Sequence, residues 1–166
     1  TDLVKYPLNA VTQRPMAMYH SWDSQNAWLR QIHAHNHLHL NPNTARAAGI
    51  EDGGWMWVES EWGKVRCMAS YSEAVEPGTV WTWNAIGKAA GAWHLAPGAN
   101  ESQRGFLLNH LISEELPGKS GEGSMSNSDP VTGQAAWYDV RVRISKVSTT
   151  DTRAGTSPGE TARGLQ

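Results

Sequence analysis

Polar side chains that suit a large ligand bearing phosphates and fused rings occur where the predicted strands and helices of this chain begin or end. Arginine binds phosphate groups through paired hydrogen bonds, amides bind the polar edges of fused rings, and aromatic rings stack on their faces. The alternative role for each such residue is local, as a turn or capping residue. The candidate binding residues are Thr12, Gln13, Arg14, His20, Ser21, Asn109, Asp129, Gln134 and Tyr138.

Four histidines at every second position form a separate candidate, a metal site. They are His33, His35, His37 and His39. In a strand they would lie on one face about 7 Å apart, where two or three imidazoles can bind zinc or copper. No cysteine or carboxylate lies within the run to complete a ligand set. We therefore favour a solvated histidine-rich loop edge and assign no metal ligand, with metal binding as the alternative.

The sequence contains no pattern that predicts catalysis by this chain alone. It has no Gly-x-Ser-x-Gly turn, no Gly-x-Gly-x-x-Gly loop and no Walker loop. Glu114 and Glu115 are adjacent, so on a helix they would point in different directions. Cys67 is the single cysteine, which excludes an internal disulfide and a cysteine-ligated cluster made by this chain alone. We assign no catalytic residue.

Size and charge narrow the class of protein further. The 166 residues suit one domain, and the formal charge of -2 without a basic run gives no electrostatic case for nucleic acid or an anionic membrane. No long apolar run predicts insertion into a membrane, no signal peptide is indicated, and the first residue, Thr1, suggests a cut or incomplete chain. Nine tryptophans against one phenylalanine favour surfaces that meet another domain or a flat ligand, with core or half-core positions as the alternative.

The residue pattern predicts short strands with a few short helices between them, in one domain over residues 1–147. Asn41-Pro42 and Gly49 are the start and stop signals of one helix. Residues 148–166 are rich in Thr, Ser, Gly and Pro and predict a disordered tail. The predicted strands cover residues 4–14, 55–60, 64–70, 79–83 and 140–145, and the predicted helices cover residues 23–33, 42–48 and 104–116.

Short motifs follow one another along residues 5–147 in a specific order. They are Thr12-Gln13-Arg14, His20-Ser21, Asn41-Pro42, Gly49-Ile50-Glu51-Asp52-Gly53, Val58-Glu59-Ser60, Pro77-Gly78, Asn109-His110-Leu111, and Asp129-Pro130 with Tyr138. In this order and spacing they resemble the C-terminal dinucleotide-binding domain of the molybdopterin oxidoreductases, the dimethyl sulfoxide reductase family. Residues 13–22 and 82–88 are most similar to the large subunits of the sulfite dehydrogenase, thiosulfate and polysulfide reductase branch. The sequence departs from the family pattern at Gln13, where many relatives have Gly, and at Ile112, where they have a hydroxyl residue that Ser113 would replace.

The resemblance implies a mainly β fold, a six-stranded double-psi β-barrel with short helical insertions. It implies that the candidate binding residues contact bis(molybdopterin guanine dinucleotide), which holds molybdenum or tungsten. Upstream domains of the same catalytic subunit would share this cofactor and carry the metal ligand and the iron–sulfur cysteines. The parent enzyme would be a bacterial oxidoreductase that acts on a small sulfur-oxo or related substrate, with an iron–sulfur electron-transfer subunit as partner. The chain alone would not be catalytic.

Three further expectations complete this interpretation. The alternative function is a free-standing noncatalytic module on the same barrel that binds a protein or a small ligand. We expect a cytoplasmic location, or a periplasmic one if an export signal precedes the chain. The tryptophan-rich surface predicts self-association of the isolated chain.

Overall fold

The chain folds as a closed barrel of six strands with a separate two-stranded ribbon. The computed structural model describes residues 2–19, 22–23, 26–33, 35–84, 106, 108–116, 123, 125–135 and 140–148. In chain order the strands are β1 (Leu8–Gln13), β2 (Leu38–Leu40), β3 (Trp55–Glu59), β4 (Lys64–Tyr71), β5 (Thr79–Trp83), β6 (Glu115–Leu116), β7 (Met125–Ser126) and β8 (Arg141–Lys146). Around the barrel the order is β1, β5, β2, β4, β3, β8, and β6 pairs with β7 outside it. The predicted mainly β barrel with short helical insertions is confirmed.

The strand directions give the barrel two distinct edges. β1 and β5 are parallel neighbours, and so are β2 and β4, which run the opposite way because β2 and β5 are antiparallel. β3 is antiparallel to β4 and to β8. This mixture of parallel and antiparallel neighbours is that of the predicted double-psi barrel. We call the edge where β1, β3 and β5 end, and where β2, β4 and β8 begin, the mouth; the opposite edge is the base.

The barrel interior is an apolar core built from alternate residues of the six barrel strands. Side chains along a strand point to opposite faces in turn, so one residue in two faces inward. In β4 these are Val65, Cys67 and Ala69, which are all buried as the sequence pattern predicts. The other strands add Leu38, Leu40, Met56, Val58, Val80 and Val142 to the same cluster. Burying each large aliphatic side chain contributes about 1.5–3 kcal/mol, and this burial keeps the barrel closed.

The described tryptophans lie outside this core. In β3 the rings of Trp55 and Trp57 are half-buried on the outer face, where the Arg66 guanidinium lies 4.6 Å from the Trp55 ring centre and Lys64 Nζ lies 4.3 Å from that of Trp57. Trp28 is 79% exposed. No described tryptophan is fully buried in the core, whereas the half-core alternative fits Trp55, Trp57, Trp81 and Trp83, which are half-buried. Self-association through them stays a prediction.

The helix α1 (Pro42–Ala47) follows β2 at the base and matches its predicted signals. The Asn41 side chain accepts a hydrogen bond from the backbone N–H of Asn43 at 2.9 Å, as an N-cap does. Gly49 ends the segment at a φ of 68°, a left-handed conformation that glycine adopts without steric cost.

The predicted helix over residues 23–33 is wrong. Its described part contains only a 3-10 turn, Leu29–Gln31, which begins after the Asn26 side chain accepts bonds from the backbone of Trp28 and Leu29. Trp28 and Ile32, whose spacing would place them on one face of such a helix, are exposed. A short helix without a buried face gains too little packing energy to offset the cost of nucleation.

The predicted helix over residues 104–116 is also wrong in its described part. A 3-10 turn, Leu108–Leu111, buries its first and last residues, and the chain then changes to strand β6. The Ser113 hydroxyl accepts a hydrogen bond from the Glu115 backbone N–H at 3.2 Å, a local bond that competes with continued helix.

No helix among the described residues is long and apolar enough to cross a membrane. Residues 149–166 of the predicted tail lie outside the described part.

Candidate functional site at the barrel mouth

The ends of β1 and β5 bring the first predicted binding motif to the mouth. Because the two strands are parallel and in register, Thr12 lies beside Thr82 and Gln13 beside Trp83. The pairing continues for one more residue, where the backbone N–H of Asn84 donates to the Gln13 carbonyl at 2.8 Å. Thr12 is half-buried, whereas Gln13 and Arg14 are exposed. The motif therefore presents an amide and a guanidinium to a ligand at this edge.

A buried polar cluster lies directly beneath this part of the mouth. Asn36 is fully buried, and its Nδ2 donates to the Trp83 carbonyl at 3.0 Å and to the Phe106 carbonyl at 3.4 Å. Its Oδ1 lies 2.9 Å from the Thr82 hydroxyl, which also lies 2.8 Å from the His37 carbonyl. One hydroxyl proton is shared between those two acceptors. The cluster ties the end of β5 to the segment before β2 and to Phe106.

Asn109 lies at the same edge, where the Leu108–Leu111 turn packs on the connection between β3 and β4. The Ser60 hydroxyl in that connection donates to the Leu111 carbonyl at 2.7 Å and accepts from the backbone of Gly63. Gly63 is required here because a Cβ atom at this position would overlap the His110 carbonyl oxygen. Asn109 itself is exposed. The turn therefore presents a second amide at the mouth.

The predicted residues Asp129 and Gln134 lie together in the turn that precedes β8. Asp129 Oδ1 accepts hydrogen bonds from the Thr132 backbone and hydroxyl and from the Val131 backbone, and these bonds lower the pKa of the carboxyl group. The Asp129 backbone N–H donates to the Gln134 carbonyl at 2.7 Å. Asp129 thus has a local turn-forming role, while the Gln134 side chain is exposed. Contact of either with a ligand stays a prediction.

Three predicted binding residues lie outside the described part of the chain, namely His20, Ser21 and Tyr138. Ser113, the hydroxyl expected to replace that missing at Ile112, bonds through its Oγ to the backbone carbonyl of Glu115 at 2.6 Å. Its hydroxyl proton is therefore used locally.

The histidine run lies along the outer face at the start of β2, beside β5. His35 and His37 have ring centres 4.6 Å apart, and His39 stacks on Trp81 at 4.2 Å with an angle of 18° between the rings. Burial lowers the pKa of His39, and charge on His37 lowers it further. Within the described ranges, no three or more His, Cys, Asp or Glu side chains are placed to hold one metal ion. This geometry is that of packed rings.

Sequence reasoning missed the residues that organise the mouth. Asn36 lies inside the histidine run, between His35 and His37. The inward position of Thr82 can be predicted from the sequence, because strand alternation places it on the same inward face as Val80. A hydroxyl at an inward position needs a polar partner, and this requirement predicts a buried polar contact.

The described mouth residues suit binding of a polar ligand. Arg14 can pair with a phosphate, Gln13 and Asn109 can bond to the polar edges of a heterocycle, and half-buried Thr12 adds a hydroxyl. These groups recognise and orient a ligand by hydrogen bonding and charge. The geometry therefore supports a binding site.

Comparison with known proteins gives a family match over most of the barrel. The model of the Molydopterin dinucleotide binding domain family matches residues 8–128. Over 146 residues, 88% of this chain, the sequence is 71% identical to a sulfite dehydrogenase subunit of Allochromatium vinosum. It is 32% identical over 126 residues, 72% of this chain, to the dopamine dehydroxylase of Eggerthella lenta.

A solved structure shares the fold at low sequence identity. The acetylene hydratase from Pelobacter acetylenicus superposes with a TM-score of 0.61 and 20% identity, over 87% of this chain and 19% of its own. The matched part amounts to 15% of the sulfite dehydrogenase protein and 12% of the dopamine dehydroxylase. The chain thus spans a small part of the length of each of these proteins.

Proposed function

Since the chain belongs to the molydopterin dinucleotide binding domain family, we propose that its barrel mouth binds the guanine dinucleotide form of the molybdopterin cofactor. The observation that carries this proposal is that Thr12, Gln13, Arg14 and Asn109 all lie at the mouth of the barrel, within the residues that match the family. Asn109 is distant from the other three in the sequence, and the fold brings all four to one edge.

The residues present at the mouth fit such a cofactor. The exposed Arg14 guanidinium suits the diphosphate, because a planar cation forms paired hydrogen bonds with phosphate oxygens. The amides of Gln13 and Asn109 suit the donor and acceptor edges of pterin and guanine, and Thr12 adds a hydroxyl. When bound, the cofactor supplies the metal centre for two-electron chemistry, and this chain supplies binding and orientation. The remaining proposed contacts are His20, Ser21, Asp129, Gln134 and Tyr138.

We extend the proposal to the longer protein of which such a domain forms a part. Two such dinucleotides would hold molybdenum or tungsten and would be shared with upstream domains of the same catalytic subunit. The 71% identity to a sulfite dehydrogenase protein supports an oxidoreductase acting on a small sulfur-oxo substrate. An iron–sulfur subunit would carry the electrons, in the cytoplasm or, with an export signal, in the periplasm.

Titration of the purified chain with GDP and with released molybdopterin guanine dinucleotide tests the binding proposal. Tryptophan fluorescence reports binding, since Trp83 lies at the mouth. We expect Arg14→Ala to weaken binding about 10- to 100-fold, the effect of losing a charged hydrogen-bond pair.

Arg46→Ala is the matched control for Arg14→Ala. Arg46 is an exposed arginine in α1 at the base, so its removal should leave the dissociation constant unchanged. If the unaltered chain shows no saturable response, or if Arg46→Ala weakens binding as much as Arg14→Ala, the mouth is not the site. The noncatalytic module would then be the better description.

A further inference from the structure

Asn84 carries a buried side-chain oxygen that has no hydrogen-bond partner. Among the buried side-chain nitrogen and oxygen atoms of the described residues, the Oδ1 atom of Asn84 is the one that forms no hydrogen bond. The four buried polar side chains there, Asn36, Asn41, Ser60 and Thr82, all bond to backbone groups. Buried polar groups in folded proteins are nearly always paired, so an exception indicates a missing partner.

Two hydrogen bonds hold the backbone at Asn84 and at the residue before it. Its own N–H donates to the Gln13 carbonyl at 2.8 Å, and the carbonyl of the preceding Trp83 accepts from buried Asn36 at 3.0 Å. Asn84 therefore lies at the mouth, adjacent to the Gln13-Arg14 pair, with its backbone N–H held by the Gln13 carbonyl. An acceptor that is already held in place before the ligand binds contributes to affinity, because binding does not cost the entropy of immobilising that side chain.

We propose that Asn84 is a binding residue whose Oδ1 accepts an N–H hydrogen bond from a 2-amino-4-oxopyrimidine ring. Guanine and pterin share this ring, which carries a ring N–H beside an amino group, and both are donors. Adenine lacks that pair of neighbouring donors. The inference rests on the proposed function of the mouth. It adds the atom that would select the heterocycle. A site built around a buried acceptor discriminates strongly against ligands that leave it unpaired.

The test measures two properties of Asn84→Ala in the purified chain, the dissociation constant and the thermal unfolding midpoint without ligand. The probes are GDP, a simple pterin and ADP. We expect the dissociation constant for GDP or for the pterin to rise about tenfold or more, since the ligand N–H loses its acceptor. The unfolding midpoint should stay unchanged or rise, because the substitution removes an unpaired buried oxygen. The probe that responds identifies the ring as guanine or as pterin.

Asn84→Asp is the conservative variant, because it keeps an oxygen acceptor in the same position. If pterin is the partner, Asn84→Asp should still bind the uncharged pterin. If guanine is the partner, Asn84→Asp should still prefer GDP to ADP. A residue with a purely structural role would behave in the opposite way, with a lower unfolding midpoint in Asn84→Ala and unchanged dissociation constants.

The outcomes separate this inference from the proposed function. Weak binding in Arg14→Ala together with full binding of both probes in Asn84→Ala overturns the role of Asn84 alone. Failure of the unaltered chain to bind GDP and pterin overturns both. Equal affinity of the unaltered chain for GDP, pterin and ADP also overturns the inference, since the proposed acceptor would then select nothing.

Discussion

The Thr82 hydroxyl and the Asn36 side-chain oxygen lie 2.9 Å apart although the two residues are 46 positions apart in the sequence. Both side chains are fully buried. Asn36 also donates to the carbonyls of Trp83 and Phe106, so one side chain joins three segments at the barrel mouth.

Removing this side chain should destabilise the chain strongly. In Asn36→Ala the carbonyls of Trp83 and Phe106 and the buried Thr82 hydroxyl lose a partner, and we expect a loss of about 2–4 kcal/mol in the free energy of unfolding. Urea denaturation measures it. The exposed Asn43→Ala serves as control and should change stability by less than about 0.5 kcal/mol. A similar loss in both variants would contradict the role of the cluster.

The side chain of Asn41 has two separable roles at the base. Its oxygen caps α1, and its Nδ2 donates to the Val75 carbonyl at 2.9 Å. Asn41→Asp keeps the cap and loses the donor, whereas Asn41→Ala loses both. We therefore expect Asn41→Ala to cost about 1–3 kcal/mol and Asn41→Asp less. Chemical denaturation of the two variants gives the comparison, and equal costs would show that the cap contributes nothing.

Gly63 and Gly78 form a matched pair for testing how the Asn109 turn is positioned. A Cβ at Gly63 would overlap the His110 carbonyl, whereas a Cβ at Gly78 meets nothing within 4 Å. Gly63→Ala should cost about 3 kcal/mol or more and weaken GDP binding, because the turn that carries Asn109 must move. Gly78→Ala should stay within about 1 kcal/mol of the parent. Thermal melts and the GDP titration report both effects, and a neutral Gly63→Ala would refute the close approach.

Cys67 should react only when the chain unfolds. It is fully buried, and burial raises the pKa of its thiol. The unfolded chain loses this proton near pH 8.5 while the folded chain keeps it, so the free energy of unfolding should fall as the pH rises above about 8.5. Thiol labelling in native buffer and in urea tests the first statement. Denaturation at pH values from 7 to 10 tests the second statement. In Cys67→Ala the free energy of unfolding should fall less steeply with pH, because the variant has no thiol to ionise.

His39 should make the chain sensitive to mild acid. Burial lowers its pKa, with a smaller contribution from His37. The unfolded chain takes up a proton near pH 6.5 that folded His39 resists, so stability should fall as the pH drops below about 6.5. His39→Phe keeps a ring against Trp81 and should reduce the loss between pH 7.5 and 5.

His37→Gln is the control for this prediction. It removes only the smaller cause, so it should reduce the acid loss in stability less than His39→Phe does. Urea midpoints at the two pH values give the answer for both variants. An acid loss that is unchanged in His39→Phe would assign the effect to other groups.

Local residue patterns were enough to predict the elements whose formation depends on neighbouring residues. Alternation of side chains between two faces predicted β4 and β8, because a strand buries every second side chain. The β-branched and aromatic residues of Thr79–Trp83 predicted β5. Asn41, Pro42 and Gly49 predicted α1, because a cap and a left-handed glycine act within one turn of the helix. The ordered motifs indicated the barrel and its family.

Which of these elements became neighbours depended on the packing of the folded chain. The helices predicted over residues 23–33 and 104–116 needed a surface on which to bury an apolar face, and the described parts form short 3-10 turns instead. The parallel pairing of β1 with β5 set Gln13 beside Asn84, and the antiparallel pairing of β2 with β5 brought Asn36 to Thr82. Strand order in a closed barrel depends on the packing of the whole core and not on any local pattern, so the mouth and its unpaired acceptor appear only when the barrel closes.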